Sequence, residues 1–198
     1  MTKVLIAFYS RTGSVEALAK AVAEGVRGEG AELRIRRARE VVSPEVMQMA
    51  PGWTESAARM NAEYEAPTSA DAEWADAIIL GSPSRFGVVS SELKAWLDSL
   101  GGLWAGGKLV GKVGSAFSSS SVLHGGNEMV IASMWMPLAH LGLILVPTGY
   151  ADPAMFQAGT PYGATAATGH GRALTAEEQA AATWQGKRVA LVAKALRG

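Results

Sequence analysis

The sequence predicts a doubly wound α/β domain, with a parallel sheet of five strands and helices on both faces. Three observations predict it. Apolar runs of strand length recur along the chain, and stretches of helical spacing stand between them. In addition, 198 residues with 48% hydrophobic content suffice to bury a substantial core.

KVLIAFYS (3–10) is a near-continuous apolar run, the pattern of a parallel strand covered on both faces. From Ser14 the period lengthens: Val15, Leu18, Ala19, Val22 and Val26 form one helical stripe, which Gly28 and Gly30 end. AELRIRRA (31–38) alternates and reads as a strand nearer the sheet edge. DAIILGSP (76–83) is a third strand with turn residues behind it. SSELKAWLDSL (90–100) is a helix with Ser90 or Ser91 at its N-cap. KVGSAFSSSS (112–121) is a fourth strand ending in hydroxyls, and NEMVIASMWMPLAHL (127–141) is a long helix. GLILVPTGY (142–150) is the fifth strand, and residues 175–196 close the chain as a helix capped by Thr175. Strict alternation implies βαβ units in an open sheet, and five strands in this length fit a flavodoxin-like fold, one domain over 1–198. Two segments lack periodicity. Residues 42–69 are polar and Pro-punctuated where a second helix belongs, and 147–174 are rich in Gly, Thr and Ala. Loops this long usually carry function or contact partners.

Composition removes several classes of chemistry. There is no cysteine, so disulfides, thiolate nucleophiles, Cys-ligated zinc and iron–sulfur clusters are excluded; redox chemistry needs a bound cofactor. Eighteen Lys and Arg balance eighteen Asp and Glu, which argues against nucleic-acid binding and against an acidic electron carrier. Residues 129–151 contain no charged side chain, yet Pro137, His140, Gly142 and Pro147 interrupt them, so helix followed by buried strand is preferred to a membrane span. The first apolar run is too short for a signal-peptide core, and the chain reads as soluble and cytoplasmic.

In such sheets ligands bind beyond the carboxyl ends of the strands, at the point where strand order reverses. The first strand ends in SRTGSV, Ser10 to Val15. Hydroxyls of Ser10, Thr12 and Ser14 beside free helix amides suit a phosphate, while the loop is neither a Walker pattern nor G-x-G-x-x-G. Its plainer reading is an N-cap on Thr12 or Ser14. The third strand ends in Pro83, Ser84, Arg85 and Phe86, a tight turn with a cation and an aromatic ring; Phe86 in the core and Arg85 as a surface charge is the alternative. The fourth ends in small polar residues that leave room for a flat ligand. A flavin mononucleotide, with a phosphate at one end and a planar ring at the other, matches these three loops.

Longer stretches carry a resemblance: FYSRTGSVEALAKAVAEG (8–25), GSPSRFGVVSSELKAWLDSLGGLWAGGKLVGKVGSAFSS (81–119), HGGNE (124–128), MWMPLAHLGLILVPTGY (134–150) and GTPYGAT (159–165). The chain closely resembles the tryptophan-repressor-binding-protein (WrbA) family of flavodoxin-like NAD(P)H:quinone oxidoreductases, over nearly its whole length. The resemblance implies FMN as cofactor, NADH or NADPH as donor, a quinone as acceptor in ping-pong order, and a homotetramer. It implies that Ser10, Arg11, Thr12, Gly13, Ser14 and Val15 hold the phosphate. Pro83, Ser84, Arg85 and Phe86 line the flavin ring, with Ser119, Ser120, Ser121, Val122, Leu123, His124 and Gly125 as the second flavin loop. Trp104 walls the quinone pocket. His140, from a neighbouring subunit, completes the site and orients or protonates a quinone oxygen, while Arg85 steadies negative charge. Read alone, His140 is sooner a cation at a helix C-terminus than a catalytic group. Thr12 stands where the family often has an aromatic residue that stacks on nicotinamide, and Ser14 where a His is common; Val122, Leu123 and His124 make the second loop bulkier. A one-electron carrier and a non-enzymatic regulatory protein are the competing classes.

Overall fold

The computed structural model describes residues 1–197, apart from the side chain of His170; Gly198, the last residue of the expected domain, lies outside the described residues. Strands β1 (Lys3–Phe8), β2 (Glu32–Arg37), β3 (Ala77–Pro83), β4 (Val113–Ser120) and β5 (Ile144–Leu145) form a parallel sheet in the order β2-β1-β3-β4-β5. Alternation along β1 builds both cores. Val4, Ile6 and Phe8 face helices α1 (Ser14–Gly28) and α8 (Ala176–Arg197). Leu5, Ala7 and Tyr9 face α5 (Ser91–Asp98) and α7 (Asn127–His140). Among the described residues no helix is long and apolar enough to cross a membrane.

The helices α1 and α8 touch through backbone. A Cβ on Gly25 would stand 1.9 Å from the Thr183 carbonyl oxygen, and one on Gly186 would stand 1.9 Å from that of Val22. The expected Thr175 cap forms as a reciprocal box: Glu178 N–H donates to Thr175 Oγ1 at 3.2 Å, and Thr175 N–H donates to the Glu178 carboxylate at 2.9 Å.

Three expectations need correction. The segment 42–69 is not an open loop: it holds α2 (Pro44–Gln48) and α3 (Trp53–Glu63) and leads into α4 (Ser69–Trp74). Trp53, Ala57 and Met60 form a buried helical stripe that fixes α3 against the body. Arg59 then pairs with Glu16 of α1; burial alone would raise the Glu16 pKa, but its bonds from Arg59 and Lys20 bring it down to about 2.

The fifth strand is short. Ile144 N–H and Val146 N–H donate to Lys112 O and Gly114 O at 2.7 and 2.8 Å, and the ladder ends there; Pro147 follows at a position whose N side faces away from β4. The ladder resumes with β6 (Thr165–Ala167) beside Ser118–Ser120. Because β3 occupies the other edge of β4, β5 and β6 share one edge, and the intervening chain bulges out of a split strand position. Lastly, the 90–100 helix ends at Asp98, and a separate short helix, α6 (Gly101–Ala105), carries Trp104. Ser90 holds the N-cap position of α5, its carbonyl accepting from Lys94 N–H at 2.9 Å while its side chain makes no cap bond.

Candidate functional site

The strand order reverses between β1 and β3, so the crevice lies beyond Phe8 and Pro83. There Ser10, Arg11, Thr12, Ser14 and Val15 meet Pro83, Ser84 and Arg85 and the hydroxyl run Ser119, Ser120 and Ser121 around a cleft of about 270 Å³. Ala50 and Thr168 complete its wall, and neither was marked by any local sequence signal.

Neither Thr12 nor Ser14 caps α1. The N-cap is Gly13, at φ 106°, and no side chain caps the helix. The first-turn amides therefore keep their donors for a ligand, where the helix dipole favours negative charge. Ser10 Oγ accepts from Gly13 N–H at 3.0 Å and closes the loop on itself. From below, Arg37, wholly buried, donates Nη2 to the Ser10 carbonyl at 2.9 Å. Arg37 is paired with Glu40 and bonded to Asn61 at 2.6 Å. Periodicity gives no hint of this buried cation.

The opposite wall is tied together by backbone. Ser84 N–H donates to Ser119 O at 2.7 Å, and Ser84 Oγ donates to Gly125 O at 2.5 Å. Asn127, the first residue of α7, accepts from Ser118 Oγ at 3.1 Å and donates to Ser120 Oγ at 3.0 Å. It clamps the β4 loop, a role its place in HGGNE did not disclose.

Electrostatically the cleft is unbalanced toward positive. No carboxylate of the described residues lies within salt-bridge distance of Arg11 or Arg85. Burial, and then the repulsion of Arg11, lower the pKa of Arg85. The Arg11 Nε and the Tyr9 hydroxyl are buried with no hydrogen-bond partner among the described residues. Burial, with the fields of Glu92 and Glu40, pushes the Tyr9 phenol up, so it keeps its proton. Uncapped amides, hydroxyls, two unpaired guanidiniums and orphaned donors together suit an anionic ligand with polar atoms along its length. FMN fits that donor set.

Other expected residues lie elsewhere. Phe86 does not line the cleft: it stands fully exposed, at φ 54°, at the tip of a turn closed by Arg85 and Val88. Phe86 and Gly87, both left-handed, make a two-residue hairpin that turns the ring outward. Val122, Leu123 and His124 are an exposed turn outside the cleft; Leu123 and His124 border a separate groove. Gly125 does not border the cleft; its carbonyl accepts from Ser84 Oγ and its N–H donates to Val122 O. Trp104 is 60% exposed on α6. His140 is exposed at the far end of α7, whose length at ~1.5 Å per residue carries it about 20 Å from the loop where α7 starts. Within one chain neither Trp104 nor His140 belongs to the cleft.

Residues 3–156 match the sequence model of the NADPH-dependent FMN reductase family. Among solved structures, a WrbA-like flavodoxin from Agrobacterium tumefaciens is similar at 24% identity and TM-score 0.69, over 98% of this chain and 99% of that one. Flavodoxin 1 from Bacillus cereus is similar at 15% identity and TM-score 0.61, over 95% and 97%. RosB, solved with bound 8-demethyl-8-formylriboflavin-5'-phosphate, is similar at 14% identity and TM-score 0.65, over 100% and 81%. At these identities the structures show the shared flavodoxin-like fold.

Proposed function

The chain belongs to the NADPH-dependent FMN reductase family, and from that premise we propose that it is an FMN-dependent NAD(P)H:quinone oxidoreductase acting in the cytoplasm as a homotetramer. The observation that carries this reading is the cleft itself: an uncapped helix N-terminus and two unpaired arginines at the crevice between β1 and β3. The chemistry a bound flavin supplies is hydride acceptance from NADH or NADPH and two-electron donation to a quinone, in separate binding events.

The residues of the chain bind and orient. The amides and hydroxyls of Ser10 to Val15, with the Arg11 cation, hold the phosphate. Pro83, Ser84 and the Arg85 guanidinium border the ring, and Arg85 steadies negative charge there or on a substrate oxygen. Ser119, Ser120 and Ser121 supply the second wall through backbone and hydroxyl groups, and Gly125 braces it by accepting from Ser84 Oγ. Thr12 offers a hydroxyl to the nicotinamide side without an aromatic stack. The quinone half requires neighbouring copies. Trp104 and the exposed Phe86 offer flat apolar faces, and Met129, Met136, Val110 and Ile144 leave a further apolar surface for packing between copies. In that assembly His140 from a neighbour reaches the quinone and delivers a proton to its oxygen.

Anaerobic titration of the FMN-loaded protein tests this. One equivalent of NADPH or NADH per flavin is expected to bleach the flavin absorbance, and one equivalent of benzoquinone to restore it. His140→Ala is expected to slow only the quinone half, by about 10²-fold, with flavin affinity unchanged. Bleaching that benzoquinone does not reverse, or a His140→Ala protein of undiminished quinone turnover that sediments as a monomer, contradicts the reading.

A further inference from the structure

The Arg11 guanidinium sits over the Trp53 ring, its central carbon 4.0 Å from the ring centroid. Trp53 opens α3 and is only 6% exposed. Its N–H groups fix its place: the backbone donates to the Ala50 carbonyl at 3.2 Å, and Nε1 donates to Glu40 Oε1 at 3.4 Å. Glu40 is itself locked by Arg37, and Ala50 lines the cleft. The chain between β2 and β3 thus delivers a rigid aromatic face to the loop after β1.

Contact with a ring face does something a carboxylate cannot. A carboxylate that fixed Arg11 would also neutralise it. A cation–π contact holds the guanidinium against the ring while leaving its charge un-neutralised. Arg11 carries both signatures of a cation held for a ligand: an Nε buried without an acceptor, and no carboxylate partner among the described residues.

We propose that Trp53 is a positioning residue that presents Arg11, un-neutralised, to the phosphate end of the cleft, making the site selective for flavin phosphate ester over unphosphorylated riboflavin. This rests on the flavin reading above. A phosphate dianion gains charge-assisted bonds from the guanidinium, whereas the riboflavin hydroxyl at the same place leaves the cation without a counter-charge.

Affinities for FMN and for riboflavin, read by flavin fluorescence, test the proposal in the wild-type protein and in Arg11→Gln, Trp53→Leu and Trp53→Phe. Arg11→Gln and Trp53→Leu are expected to weaken FMN by about tenfold or more, with riboflavin changed less than about twofold. Trp53→Phe, which keeps an aromatic face, is expected to retain most of the preference. Equal weakening of both flavins in Trp53→Leu, as for a purely structural residue, overturns the proposal, as does unchanged FMN affinity in Arg11→Gln. Should Trp53→Leu fail to fold, Trp53→Phe decides: a loss of FMN preference as large as in Arg11→Gln, or equal weakening of both flavins, overturns the proposal. A wild-type protein that binds neither flavin overturns the flavin reading as well, so the two failures are told apart.

Discussion

Gly186→Leu is expected to abolish the folded protein, seen as loss of soluble material and of the cooperative thermal transition in circular dichroism. The reason is a backbone-to-backbone contact. A Cβ at Gly186 would meet the Val22 carbonyl oxygen at 1.9 Å and the Val26 nitrogen at 3.1 Å. Neither can rotate away as a side-chain terminus can. Gly25 makes the reciprocal approach to Thr183 and Lys187, so the two helices have no slack on either side. Separating them opens the core containing Val22, Val26, Ala182 and Val189. Overpacking in a close-packed interior costs about 1–3 kcal/mol and more when backbone must move. Even Gly186→Ala is expected to lower Tm by ~10 °C, at ~2–4 °C per kcal/mol for a chain of this size. Gly28→Ala is the control: among the described residues, nothing beyond its chain neighbours and its own helix backbone lies within 4 Å of its Cβ position, so a neutral or slightly stabilising result follows from helix propensity. Equal Tm values for the Gly186→Ala and Gly28→Ala proteins would contradict the account of this crossing.

Arg37→Met is expected to destabilise the protein by about 3–5 kcal/mol, measured by urea unfolding at pH 7. Arg37 has no exposed surface, and its partners are the Glu40 carboxylate, Asn61 and the Ser10 carbonyl. Removing it strands a buried carboxylate. Burial presses the Glu40 pKa upward, and at present the Arg37 bonds outweigh it and hold that carboxyl below its usual range. Arg39 is already committed to Asn61 and the Tyr64 carbonyl. In the Arg37→Met protein the folded-state pKa of Glu40 therefore rises above its unfolded value. Its destabilising effect is then full at high pH and disappears as pH falls through that raised pKa. The loss is accordingly expected to shrink between pH 7 and pH 5, and Arg37→Met/Glu40→Leu to recover a large part of it. A pH-independent loss under about 1 kcal/mol would show that the pair contributes no more than an exposed salt bridge.

The strands and helices with strong periodicity were legible: Val4 to Phe8, the α1 stripe, and the β3 and β4 runs each dictate one conformation by pattern alone. So were the three loops of the cleft, because strand ends in this topology have to converge. What escaped had weaker or misleading local signals. The buried stripe of α3 is short and flanked by Pro44, Pro51 and Pro67, so its polar setting masked a helix. GLILVPTGY reads as a full strand, but its ladder to β4 ends at Val146, and the Ala-rich β6 that resumes it carries little strand propensity. At the site, Ala50, Trp53, Asn127, Thr168 and Arg37 act through tertiary contacts to loops distant in sequence. Phe86 is not a core residue, the alternative its apolar ring allowed, because a two-residue hairpin closing on Phe-Gly, in place of the usual Asn-Gly, leaves the ring exposed at the turn's tip.

The central claim is that FMN occupies the cleft at the ends of β1, β3 and β4. Titration of FMN into ¹⁵N-labelled protein, followed by amide chemical shifts, tests it most directly. The account predicts saturable shifts concentrated on Ser10 to Val15, Ser84 to Gly87 and Ser119 to Gly126, with the first-turn amides of α1 moving furthest because they meet the phosphate. Saturation with the largest shifts on the groove beside Leu123 and Arg172, or no shifts in the Ser10 to Val15 loop, would contradict it.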